Sequence, residues 1–350
     1  MTDVKKMSNE SNAFHEGSVT ELRLKRRQHA ADYDHTESLL QNCIRTEEND
    51  IWNQEKNRKS IGDDETNIKR LFTIEEVPEF IRHNPYILSG YRGILNAKSC
   101  IESIFWWTNE TINIWSHIFG YCLFVALTIN DLIVLRIDAP FLDKFMVAML
   151  LFSFQTTMIV SVLYHTFSCR SEEDMASFLC FDLLGIALSL LSIYTSGVYY
   201  AFWCHQGLRQ FYLLTVTLIF ILAMSLQIPS FNVDTNIKMA TFVSWAAYGV
   251  IPTLHWTISM GGLENPMVRL FLPRVIGMYT ISGTAFLIYI TKLPERFFAG
   301  KFDFLGHSHQ WWHMLVVLAL YYWHSTGMMY VEYRMNHTCV DNFNYISYEA

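Results

Sequence analysis

The sequence predicts an all-α integral membrane protein in which seven helices cross a bilayer. Three observations carry that expectation. Seven apolar stretches of bilayer length lie between residues 112 and 331, joined by short connections. Residues 1–70 mix acids and bases with few aromatics, whereas the chain from about residue 100 onward is dense in Phe, Leu, Ile, Trp and Tyr. Within lipid each segment must also satisfy its own backbone hydrogen bonds, which makes these crossings helices.

Taken in order, residues 1–70 read as a disordered arm with an amphipathic helix around Leu22–Leu40. Residues 71–111 form a lead-in segment. In it Thr73 and Glu76 make a capping-box pattern, and Pro78 and Pro85 restrict any helix to short pieces. Its last part, CIESIFWWTNETINIW, reads as an interfacial helix with Trp106 and Trp107 at headgroup depth. The seven crossings fall near 112–133, 145–167, 176–198, 211–229, 239–258, 270–291 and 308–331, within a membrane domain of residues 112–331. The second is the least apolar, because Gln155, Thr156, Thr157, Ser161 and His165 dilute it. Residues 332–350 form a tail.

Composition excludes several functions. The net charge of −7 and the single short basic run Lys25–Arg27 give nucleic acid no surface to bind. Seven cysteines without CxxC spacing argue against a disulfide framework or a cysteine zinc site. The amino terminus has no short apolar core with a small-residue cleavage site, so no cleavable signal is expected. Basic residues divide evenly between the two sets of loops, and Arg92 with Lys98 tips the balance toward a cytosolic amino terminus. Seven crossings then put the sequon Asn336-His337-Thr338 on the luminal side, and Asn109-Glu110-Thr111 on the cytosolic side.

The chemistry lies in polar residues within the crossings. His309 and His313 are four apart at the start of the seventh, so both imidazoles leave one helix face. Parity brings the end of the second crossing and the start of the third to that same side. There stand Ser161, His165 and Asp182. Three neutral imidazoles plus one open position describe a catalytic zinc. Asp182 is either a further ligand or the group that holds and deprotonates a bound water, the second being favoured. Ser161, one turn before His165, is an orienting group or a donor to a developing oxyanion. The plainer reading is that single histidines and serines in membrane helices bond neighbouring helices or backbone carbonyls. The matched depth of four such residues favours metal over it. His117 and His255 read as packing residues, and His324 lies too far along its helix to share the ion.

This pattern, Ser161-x3-His165 with Asp182 and His309-x3-His313, resembles the progestin and adipoQ receptor family, which includes the adiponectin receptors and haemolysin-III-like proteins. NPYILSGYR, TNETINIWSH, IPTLHW and LPERFFAGKFD are similar to its local motifs, and the resemblance spans about residues 70–340. It implies seven crossings, a cytosolic amino terminus, and zinc held by His165, His309 and His313 with Asp182 on the zinc-bound water. The segment SVLYHTFSC looks most like the branch of Golgi-resident proteins that trap Raf kinase. The leading expectation is accordingly a Golgi-membrane anchor or regulator that tethers a Raf-type kinase through its amino-terminal region. Two alternatives stand beside it: a zinc-dependent lipid amidohydrolase of ceramidase type, with membrane lipids such as ceramide as substrate, and a ligand-gated receptor.

Overall fold

The computed structural model describes residues 69–134, 139–228, 231, 233–337 and 339. The disordered arm and the Leu22–Leu40 helix lie outside the described residues, as do Thr338 of the sequon and nearly all of the tail. The chain divides into two units, Met1–Lys69 and Arg70–Ala350, and the second holds everything that follows.

Its first element is a small antiparallel pair, β1 (Leu71–Phe72) and β2 (Tyr91–Arg92), with Leu71 opposite Arg92. The Thr73–Glu76 contact forms, with the Thr73 amide donating to Glu76 Oε2 at 2.9 Å, but it closes a turn rather than starting a helix. The interfacial helix is shorter than its sequence suggested. Helix α1 covers Ala97–Glu102, a 3₁₀ turn follows at Ser103–Phe105, and the chain is extended at Trp106 before α2 starts at Thr111. Trp107 stacks on Phe304 at 6.4 Å instead of continuing the helix.

The crossings follow as α2 (Thr111–Thr128), α3 (Phe141–Phe167), α4 (Glu172–Ala201), α5 (Gln206–Ser225), α6 (Thr235–Tyr248), α7 (Val250–Ser259), α8 (Pro266–Thr291) and α9 (Ser308–Asn336). A π-helical stretch, Ile129–Val134, extends α2. Six of these are long and apolar enough to cross a membrane. The fifth crossing is divided between α6 and α7 at Gly249, where a Cβ would sit 2.1 Å from the Tyr279 hydroxyl. Pro252 contributes no amide to the ladder there. The Tyr194 hydroxyl bonds the carbonyls of Trp245 and Ala246 that the break would strand, and accepts the Gly249 amide at 3.2 Å. Pro273 sits inside α8 without dividing it.

Sequence neighbours pack against each other, and α9 closes the ring by packing on α2, α3, α4 and α8. The core runs along this seam through Phe124, Leu151, Phe154, Met158, Leu320 and Trp323. Outward-facing side chains such as Phe152 (70% exposed), Ile258 (75%) and Leu287 (61%) would be untenable in water and are at home in lipid. The second crossing, expected to be the least apolar, instead has a mean hydropathy of 2.0, above four of the other five, and is the most buried of the six. Its polar groups face other helices: Thr157 donates to the Gly185 carbonyl at 2.7 Å and Gln155 to Thr128 Oγ1 at 2.7 Å.

Candidate metal centre

Helix α3 ends at Phe167, α9 begins at Ser308, and α2 begins at Thr111, so His165, His309 and the start of α2 meet at one end of the bundle. The structure gathers His165, His309 and His313 so that one ring nitrogen of each lies within 4.8 Å of the others. His309 Nε2 is 3.4 Å from His165 Nε2 and 3.2 Å from His313 Nε2. A tetrahedral ion with bonds of about 2.0–2.1 Å sets its nitrogen ligands about 3.3 Å apart. The two separations match that spacing. Proton sharing does not account for it, since a single N–H on His309 can serve only one neighbour. The three converging nitrogens form a donor set that could hold a cation of borderline softness.

Ser161 lies one turn before His165 and is buried, and the half-buried Asp182 carboxyl on α4 is within electrostatic reach of both Ser161 and His165. All five residues expected from the sequence therefore share this region. His255 is elsewhere, with its Nδ1 2.7 Å from the Tyr212 hydroxyl, and His324 Nε2 lies 2.7 Å from Asp131 Oδ2 in a separate buried pair.

Several supporting residues escaped the sequence reading. Glu110, immediately before α2, has Oε2 2.8 Å from His165 Nδ1 and takes a hydrogen bond from Asn113 Nδ2 at 2.8 Å. Burial alone would raise the Glu110 carboxyl's pKa. The His165 ring, with Arg92 and Asn113, overrides that and holds it below the usual carboxylate range. An ionised Glu110 accepts a hydrogen bond from Nδ1–H of His165, which leaves the Nε2 lone pair free toward the other two rings. The usable signal was parity, since a carboxylate just before the first crossing must stand at the depth where the second one ends.

Two further groups mount the ligand helices. Arg92 is 3% exposed and donates to the carbonyls of His165 and Thr166, where α3 runs out of intrahelical partners. Glu295, fully buried, accepts the Ser308 amide at 2.8 Å and the Asn84 side-chain amide at 3.0 Å, which places a carboxylate at the amino terminus of α9. Asp303 binds the Leu88 amide at 2.9 Å and the Ser89 hydroxyl at 2.7 Å. The segments NPYILSGYR and LPERFFAGKFD are thus stitched together at the end of the bundle that carries His309.

Comparison with known proteins agrees with this architecture. The haemolysin-III-related family model matches residues 105–324. "Progestin and adipoQ receptor family member 3" of Mus musculus and of Homo sapiens are each 43% identical over 283 residues, covering 79% of this chain and 91% of theirs. The "Adiponectin receptor protein" of Drosophila melanogaster is 30% identical over 260 residues, covering 73% of this chain and 58% of its own. A broken fifth crossing, a histidine cluster at one end and this similarity over most of the chain place the protein in the haemolysin-III-related family of seven-helix membrane proteins, with the progestin and adipoQ receptors.

Proposed function

We propose that the protein is an intramembrane zinc hydrolase acting on acyl-amide or ester lipids, with the metal centre at the cytosolic end of the bundle. The observation that carries this reading is the convergence of three imidazole nitrogens within 4.8 Å of one another, His309 lying 3.4 and 3.2 Å from the other two, with Asp182 on α4 and Ser161 on α3 close by. A scaffold would need the metal but not the carboxylate–hydroxyl pair.

Zinc held by three imidazoles keeps one position open and lowers the pKa of a bound water to about 7, which supplies a nucleophile at neutral pH. Asp182 takes the proton that the attacking water loses and returns it to the leaving nitrogen or oxygen. Ser161, close to Asp182, would orient the carboxylate for that role. Glu110 keeps His165 in the tautomer that presents Nε2. Lipid substrates reach such a centre sideways, and the apolar flanks of the bundle exclude bulk water.

The orientation is supported by cysteine chemistry. Cys204 and Cys339, which the sequence reading left unpaired, form a disulfide just past the ends of α4 and α9, opposite the metal centre. At the metal end Cys100 and Cys169 remain thiols with sulfurs 3.7 Å apart. Disulfides persist in lumenal and external compartments and thiols in the cytosol. The test of function is release of fatty acid from a ceramide-type amide by the purified full chain. Zinc-dependent release that Asp182→Asn abolishes is expected; turnover indifferent to chelation and to Asp182→Asn would remove the hydrolase reading.

The anchor reading, a Golgi protein holding a Raf-type kinase, is supported by the similarity to family member three, 43% identical over 283 residues. Its determinant would be the charged arm, residues 1–70. Capture of Raf-type kinase by the full chain but not by a chain lacking residues 1–68 is the outcome this reading requires. Equal capture by both removes it.

A further inference from the structure

Buried polar atoms with no partner are few in a folded protein, and each calls for a physical explanation. Among the described residues, His117 is the extreme case. It is 3% exposed, and neither of its ring nitrogens has a hydrogen-bond partner. Burying such a ring with nothing to bond costs about 1–3 kcal/mol. A packing position would be filled more cheaply by Phe or Leu.

Its neighbours supply the explanation. The His117 ring centroid lies 4.0 Å from that of His313, with the planes inclined by 38°. Nδ1 of His313, the nitrogen turned away from the other two ligands, is buried and also unpartnered. One helical turn before His117, on the same face of α2, Asn113 Oδ1 is a fourth buried atom without a partner. The free donor and acceptor positions on Asn113, His117 and His313 therefore cluster, one helical turn and one ring contact apart. A single water makes two to four hydrogen bonds, and a site with that many polar partners retains it.

The same face of α2 already holds one ligand from outside. Glu110 bonds His165 Nδ1, and Asn113 bonds Glu110. His117 stands beside His313 on the same helix face that presents Glu110 to His165. Metal-binding histidines almost always give their second ring N–H to an outer partner, which fixes tautomer and ring angle.

We infer that His117 is a positioning residue of the metal centre, holding the His313 ring through a water shared between the free nitrogens of the two imidazoles. The inference rests on the zinc reading above. The face Glu110–Asn113–His117 of α2 then serves as the outer support for two of the three ligands, although α2 contributes no ligand of its own.

The test uses the full chain in lipid nanodiscs, with zinc affinity measured by competition against a chromophoric chelator and thermal unfolding measured after metal removal. His117→Phe keeps the stacking on His313 and removes the hydrogen bonds. It is expected to weaken zinc binding ten- to a hundredfold, the range for loss of an outer partner, while the metal-free protein unfolds at the same or a higher temperature. His117→Gln keeps an amide donor and acceptor and is expected to recover most of the affinity. If His117→Phe does not fold, His117→Met takes its place as the apolar variant. Zinc affinity unchanged in the apolar variant, or lost equally in the Gln variant, overturns the inference. Wild type that binds no zinc at all overturns the metal reading itself, so the two failures are distinguishable.

Discussion

The two ends of the bundle handle buried polarity in opposite ways. At the end opposite the histidine cluster, Asp143 is 1% exposed and fully matched: Arg334 pairs with it and the Tyr200 hydroxyl donates to it at 3.1 Å. The Arg334 guanidinium also lies 5.5 Å from the rings of both Tyr199 and Trp203. The Cys204–Cys339 disulfide closes this region covalently. At the metal end the polar groups are no more exposed, yet their requirements are unmet. Among the described residues, six of the nine buried side-chain atoms without a partner belong to Asn113, His117, Thr166, His307 and His313, and the other three are tryptophan indole nitrogens, that of Trp203 at the disulfide end. The disulfide end thus matches its buried charges within the polypeptide, whereas the other end gathers ring nitrogens and an amide oxygen without partners. Substitutions at the disulfide end should therefore change stability and leave metal binding alone, whereas those at the histidine end should act chiefly on metal binding.

The largest separation is expected from His309→Ala. Zinc held by three imidazoles is worth on the order of 10–16 kcal/mol, so losing a third of the ligands should lower affinity by roughly a thousandfold. Chelator competition measures it, and the disulfide should still form, as non-reducing mass spectrometry would show. Arg334→Met is the counterpart at the other end. It leaves Asp143 buried without its cation, which should destabilise by about 3–5 kcal/mol in denaturant unfolding, with zinc affinity within twofold of wild type. Cys204→Ser is milder: removing a cross-link over 135 residues is expected to lower stability by about 2–4 kcal/mol, again without effect on the metal.

Glu110→Gln should have a smaller effect and should touch both properties. Zinc affinity should fall ten- to a hundredfold, because His165 loses the acceptor that sets its tautomer. The sign of the pH effect follows from the depressed carboxyl. Glu110 ionises below its ordinary value in the folded protein, so its stabilising contribution is present above about pH 4.5 and is lost as pH falls below that. Metal-free wild type should lose stability on acidification more steeply than metal-free Glu110→Gln. Parallel acid limbs in thermal unfolding would contradict the assignment.

The sequence disclosed the ligands more readily than their supports, for a physical reason. His165, His309 and His313 are ionisable groups inside apolar helices, so each is an anomaly that demands a partner. Parity alone then put them at one depth. Glu110 and Arg92 flank the crossings, where charge is ordinary, and nothing in their type or spacing separates an outer ligand support from a headgroup contact. His117 was legible as a buried polar residue, but its role depends on ring packing against a helix about two hundred residues away. Span positions were legible to within a few residues, while the break at Gly249 depends on Tyr194 and Tyr279 filling the space a side chain would take. The second crossing, expected to be the least apolar because of Gln155, Thr156, Thr157, Ser161 and His165, is instead among the most apolar and is the most buried, since Leu, Met, Phe and Val outnumber those residues along α3. The cysteines could not be paired from spacing, because Cys204 and Cys339 are brought together only by the return of α9.

The central claim is that the metal end is completed by one zinc ion. Elemental analysis of full-length protein purified without added metal tests it most directly, alongside His165→Ala, His309→Ala and His313→Ala purified in the same way. One zinc per wild-type chain, and a small fraction of that in each variant, is the predicted result. Metal-free wild type that still takes up none on zinc addition, or variants that retain wild-type content, would contradict it.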